Sequence, residues 1–257
     1  MTKVIALAGK GGTGKTTVAG MIVRRLVERW PGPVLALDGD ANDNLSETLG
    51  LARRGSIAGV TDEFASQRDD LPSGMTKEAL LEMRVSASIS EGRGMDLLVM
   101  GHPEGPGCYC YVNNVLRSQI ERLQSNYRFV VIDNEAGMEH VSRRTTRKID
   151  LLLLVADYSA KSLRAATRVA QVARELELDV KRTGLILNGA PQDHSALEPE
   201  LQATGLELLA VLPHSDRVRD NDVQARSVFE LPQDDPALVA TAELVDRLVA
   251  DIAVSQG

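Results

Sequence analysis

Only two of the 257 residues are cysteine, and they stand together as Cys108-Tyr109-Cys110. That scarcity excludes a disulfide framework and fits a reducing compartment. Long apolar runs are missing too: none approaches the length of a membrane span. The chain also reaches its first strand pattern within a few residues of Met1, without passing through a signal-peptide core, so a cytoplasmic location is expected. There is no excess of positive charge. With a formal net charge of −7 and a pI near 5.2, constitutive binding to nucleic acid or to an anionic membrane is not expected. The basic group Arg143-Arg144…Arg147-Lys148 then reads as a solvated helix face. No internal repeat or low-complexity linker interrupts the chain, and its length suits one domain with a full core.

What is present is a regular alternation. Short apolar runs at Val34–Leu37, Leu97–Met100, Phe129–Ile132, Leu151–Val155, Thr183–Leu187 and Leu206–Leu212 predict strands buried on both faces. Segments of helical period at Val112–Leu123, Ala160–Leu176 and Ala237–Val254 lie between or after them. The pattern predicts a single α/β domain over 1–257, a mostly parallel sheet with helices on both faces. Residues 53–94 are rich in Ser, Gly and charge; they read as a surface insertion around 53–94, with some helix near Lys77–Met83.

The first apolar run, Val4-Ile5-Ala6-Leu7-Ala8, leads directly into Gly9-Lys10-Gly11-Gly12-Thr13-Gly14-Lys15-Thr16-Thr17. This is G-x-x-x-x-G-K-[ST] between a strand and a helix. Its glycines let backbone N–H groups wrap a phosphate, Lys15 neutralises phosphate oxygens, and Thr16 supplies a hydroxyl to Mg²⁺. Gly11, Gly12, Thr13, Gly14, Lys15, Thr16 and Thr17 are therefore the expected ATP/ADP cradle. Lys10 is a second cation at the start of the loop; it is expected to point away from the phosphates of its own chain and reach those of a dimer partner. The same letters contain Gly9-x-Gly11-x-x-Gly14, with Asp38 at the end of the next strand, which resembles a dinucleotide fingerprint. A dinucleotide site has no use for Lys15-Thr16 or for a second carboxylate ending a distant strand, and Val130-Val131-Ile132-Asp133 supplies one. The triphosphate reading is preferred.

Asp38-Gly39-Asp40-Ala41-Asn42-Asp43-Asn44 follows the second strand. Asp40 is the candidate for orienting or deprotonating the attacking water, against the plainer reading of turn formation in an Asp/Asn-rich loop. Asp38 is read as a supporting or Mg²⁺-side residue, and Asp133 as holding a water of the Mg²⁺ shell. Gly137 would let the backbone approach a γ-phosphate, and His140 reads as structural rather than as a ligand. Asn188 has an amide suited to an adenine edge, and the segment from Pro213 to Asp216 occupies the matching position on the other side of the base.

Taken together, Gly9–Thr17, Asp38-Gly39-Asp40, Cys108-Tyr109-Cys110, the loop from Asp133 to His140 and Leu187-Asn188 resemble the deviant P-loop ATPases of the MinD/ParA/nitrogenase iron-protein class. Within it they are most similar to the CooC-type nickel-insertion ATPases, which mature carbon monoxide dehydrogenase and its acetyl-CoA synthase relatives. The resemblance spans nearly the whole chain. It implies a nucleotide-dependent homodimer in which Lys10 is the signature lysine and the loops Asp38–Asn44 and Asp133–His140 are the switches. It also implies a metal bound through C-x-C and delivered to an apo-enzyme client. Cys108 and Cys110 of two protomers would then form a shared four-thiolate site for Zn or Ni; His102 is an alternative ligand within one chain. The chain departs from the class in having Ala41 where proline often follows the second aspartate, and Asn134-Glu135 in the second switch. Competing readings are an iron–sulfur carrier, a ParA/MinD-like positioning ATPase and a scaffold that binds nucleotide without turnover.

Overall fold

The computed structural model describes residues 2–40, 42–66, 75–101, 110–134 and 148–254. Its strands are β1 (Lys3–Ala8), β2 (Val34–Asp38), β3 (Ser90–Glu91), β4 (Met95–Val99), β5 (Phe129–Asp133), β6 (Lys148–Asp157), β7 (Asp179–Ala190) and β8 (Leu208–Pro213). They form one sheet in the order β3-β4-β2-β5-β1-β6-β7-β8, parallel throughout except for the short β3 against β4. The helices are α1 (Lys15–Arg29), α2 (Asn44–Leu49), α3 (Ile57–Ser66), α4 (Lys77–Ala87), α5 (Cys110–Gln124), α6 (Ala160–Glu175), α7 (Glu198–Thr204), α8 (Asp216–Val223) and α9 (Pro236–Val254).

Strand periodicity divides the core into two layers. Along β1, Val4, Ala6 and Ala8 face one side with residues of α3 to α7, while Ile5 and Leu7 face the other with α1, α2 and α9. Because both faces are covered, the strands read as unbroken apolar runs. A single α/β domain results.

Residues 53–94, expected as a surface insertion, contribute to this core. Ile57, Val60 and Phe64 of α3 and Leu80, Leu81 and Val85 of α4 are buried in the first layer. Their apolar spacing is helical but short and set among Ser, Gly and charge, which hides it in the sequence. The helix expected near Lys77–Met83 is α4, started by Thr76, whose hydroxyl accepts from the Ala79 N–H at 3.1 Å.

The topology puts the carboxyl ends of β1, β2, β4, β5 and β6 on one edge. Asp38 and Asp133 stand opposite each other in the β2–β5 register, and Leu7 is paired with Asp133. In a parallel sheet that edge carries the loops able to bind a ligand at the point where strand order reverses, here beside β1.

Candidate functional site

The loop after β1 reaches α1 by left-handed turns at Gly12 (φ 81°) and Gly14 (φ 81°). At Gly14 a Cβ would lie 2.4 Å from Asn188 Nδ2, and at Gly9 one would lie 2.3 Å from the Val155 carbonyl, so only glycine fits. The N-terminus of α1 has neither a side-chain cap nor an acidic residue in its first turn. Its free N–H groups and positive dipole end are thus available to an anion. The loop is tied internally through the Lys10 carbonyl, which accepts from Thr13 Oγ1 (2.9 Å) and Lys15 Nζ (3.2 Å). Lys15 is buried, whereas the Lys10 side chain is exposed and takes no part in lining the cleft.

Thr16 Oγ1 donates to Asp133 Oδ2 at 2.6 Å. The other oxygen, Oδ1, is buried without a hydrogen-bond partner among the described residues. Burial raises the Asp133 pKa to about 6, even though the Thr16 hydrogen bond and the Lys15 charge both lower it. A hydroxyl and a buried carboxylate with a free lone pair form a donor set suited to Mg²⁺ or to its bound water. The next residue, Asn134, fixes this end of β5 by donating Nδ2–H to the Leu7 carbonyl at 2.7 Å.

Asp38 lies behind the cleft. Its two oxygens accept the backbone N–H groups of Asp40 (3.0 Å) and Leu45 (2.9 Å), so it shapes the loop that leads into α2. Burial dominates here as well and raises its pKa to about 7, against those two hydrogen bonds. Asp40 lines the cleft; its Oδ1 closes an Asx turn by accepting from Asn42 N and Nδ2, both at 2.9 Å. The turn-forming role is therefore real, and Oδ2 is the oxygen left to meet a ligand or water.

Two adjoining cavities complete the site. The larger, about 550 Å³, runs from Gly11, Gly12 and Lys15–Thr17 past Asp40 and Asn42 to Glu47 and Thr48. The smaller, about 150 Å³, is lined by Asn188, Pro213, His214 and Ser215 and shares Gly14, Thr17 and Asp222 with the first. Asn188 Nδ2 donates to the Thr13 carbonyl at 2.9 Å, which ties the side chain to the P-loop. Asp222 and Arg226 were not foreseen from the sequence. They follow the carboxyl end of β8 in a run of Asp, Asn and Arg that resembles a solvated surface, and only the fold turns it toward Thr17, whose hydroxyl approaches Asp222 at 3.4 Å.

Cys110 opens α5, which follows the carboxyl end of β4 and so begins on the same sheet edge as the P-loop. Cys108, His102, Gly137, His140 and the basic group at 143–147 lie outside the described residues. No helix among the described residues is long and apolar enough to cross a membrane, and no cluster of metal-ligating side chains occurs among them.

The model of the CobQ/CobB/MinD/ParA nucleotide-binding domain matches residues 4–228, a span that holds the whole of this edge. The chain belongs to that family. Among relatives, an ATP-binding protein of Methanocaldococcus jannaschii is 35% identical over 96% of this chain and 98% of its own. The carbon monoxide dehydrogenase accessory protein CooC of Rhodospirillum rubrum is 30% identical over 95% and 97%. Two solved family members show the fold: the cell division ATPase MinD of Pyrococcus furiosus (TM-score 0.69, 23% identity, 97% of this chain and 99% of that one) and a ParA family ATPase of Chlorobium tepidum (TM-score 0.70, 20% identity, 96% and 98%).

Proposed function

We propose that this family member is an ATP-dependent metallochaperone, in which Mg-ATP binding and hydrolysis close a homodimer and deliver nickel to apo carbon monoxide dehydrogenase or acetyl-CoA synthase. One observation carries the reading: similarity to CooC runs over 95% of the chain, and Cys110 of its lone C-x-C opens a helix on the nucleotide edge. Closure driven at the P-loop would then act directly on the thiols.

In this scheme Gly11–Thr17 hold the ATP or ADP phosphates, Asn188 and Pro213 hold the base, and Thr16 with Asp133 holds Mg²⁺. Asp38 supports the loop that carries Asp40. Mg²⁺ supplies charge neutralisation of the phosphates. Asp40 orients the attacking water, and Lys10 of each protomer reaches the phosphates of the other. Cys108 and Cys110 of both chains would hold the transported Zn or Ni ion as cargo. The working compartment is the cytoplasm, and neither nucleic acid nor membrane is a partner.

The test is activation of a purified apo-enzyme by the nickel-loaded protein. Activation should require ATP and disappear in Lys15→Ala. Equal activation without nucleotide would contradict the scheme.

A further inference from the structure

Arg226 follows the end of α8, where Ala225 takes the left-handed conformation (φ 53°) of an ordinary helix C-terminal turn. The turn and the residues after it are held by hydrogen bonds. The Arg226 N–H donates to the Asn221 carbonyl at 2.9 Å, and Asn221 Nδ2 donates to the Ser227 carbonyl at 3.1 Å. Ser227 Oγ donates to the Thr48 carbonyl of α2 at 3.2 Å. From α1, the buried Arg24 holds the following turn by donating Nη1–H to the carbonyls of Val228 (2.6 Å) and Leu231 (2.8 Å). The segment is thus latched to the helix that carries the P-loop and to the helix that follows the Asp38–Asn44 loop.

What this arrangement brings to the phosphate cleft is a cation. Among the described residues lining it, Lys15 and Arg226 are the basic side chains, facing Asp40, Glu47 and Asp222. A polyphosphate adds several negative charges to a cleft already lined by three carboxylates, so a second cation beside Lys15 adds to the attraction of the P-loop N–H groups. The Arg226 guanidinium, which makes no ion pair among the described residues, offers the compensating charge in a form that can bond two phosphate oxygens at once. We propose that Arg226 is a phosphate-binding residue that holds the nucleotide of its own chain from the segment after α8. The proposal rests on the reading of this cleft as the nucleotide site.

The experiment is titration of the Mg-free and Mg-loaded protein with fluorescent ADP and ATP analogues. Arg226→Ala should weaken both by about ten-fold, the loss of one charge-assisted contact, with the thermal midpoint of the free protein unchanged. Arg226→Lys should recover part of the loss, and Arg226→Glu should bind more weakly than Arg226→Ala. Wild-type affinity in Arg226→Ala, with binding lost in Lys15→Ala, would overturn the Arg226 proposal while leaving the nucleotide site in place. Wild-type affinity in Lys15→Ala as well would overturn both.

Discussion

The hydroxyl of Thr16, at the start of α1, is hydrogen-bonded at 2.6 Å to the carboxylate of Asp133, the last residue of β5. One short contact therefore joins the start of the P-loop helix to the end of β5, where pairing with Leu7 of β1 and Asp38 of β2 holds Asp133 in place. Thr16 lines the cleft, and Asp133 stands buried behind it.

The two lysines of the loop should separate by function. Lys15 is buried beneath the loop and Lys10 is exposed outside the cleft. Lys15→Ala should abolish nucleotide binding. Lys10→Ala should bind ATP nearly as wild type and lose turnover by about 10³–10⁵, the range of a cation supplied in trans. Calorimetric binding and phosphate release on both variants check this; equal loss of affinity in the two would remove the trans role.

Burial of Asp38 and Asp133 gives the metal-free, nucleotide-free protein a distinctive pH dependence. Their folded pKa values are raised to about 7 and about 6, above the ordinary carboxylate range. Between pH 4 and 7 the folded state therefore holds protons that the unfolded chain has already released. Stability contributed by these groups is full below that window and is lost as pH rises through it. Asp38→Asn removes one such proton, so its stability relative to wild type should improve from pH 5 to pH 7.5. Urea unfolding at several pH values measures it, and a difference that is constant with pH would refute the assignment.

Arg24 should matter for stability out of proportion to its distance from any ligand. It is 4% exposed and satisfies two main-chain carbonyls as well as Glu28. Arg24→Met keeps the apolar stem but removes the guanidinium from both carbonyls, leaving that of Val228 only the Leu231 N–H, a change that should cost about 3 kcal/mol in urea denaturation. A loss within experimental error would mean that the segment after α8 is held by Ser227 and packing alone.

Much of this was legible in the chain, for identifiable reasons. Strands β1, β2 and β4 to β8 read as apolar runs because both sheet faces are covered, and the phosphate loop has a fixed spacing whose chemistry fits nothing else as well. Strand β3 was not legible: two residues, Ser90 and Glu91, carry no periodicity, and their antiparallel pairing follows from the neighbouring β4. Helices α3 and α4 were hidden in part because a short apolar face interrupted by Ser and Gly resembles a loop. Asp222 and Arg226 were missed because no motif marks them; their placement depends on latches from Arg24 and Thr48, residues far away in sequence. Asp38 was legible as a carboxylate at the sheet edge, but only the fold reveals that both its oxygens are spent on backbone N–H groups behind the cleft.

The most direct test of the metallochaperone account is the metal content of the purified protein, measured anaerobically with ATP present and set against its mass in solution. The account predicts one divalent ion per dimer, held by four thiolates, and its loss together with metal-stabilised dimerisation in Cys108→Ala or Cys110→Ala while each protomer still binds nucleotide. One tightly held ion per monomer, or full retention of metal in the cysteine variants, would contradict it.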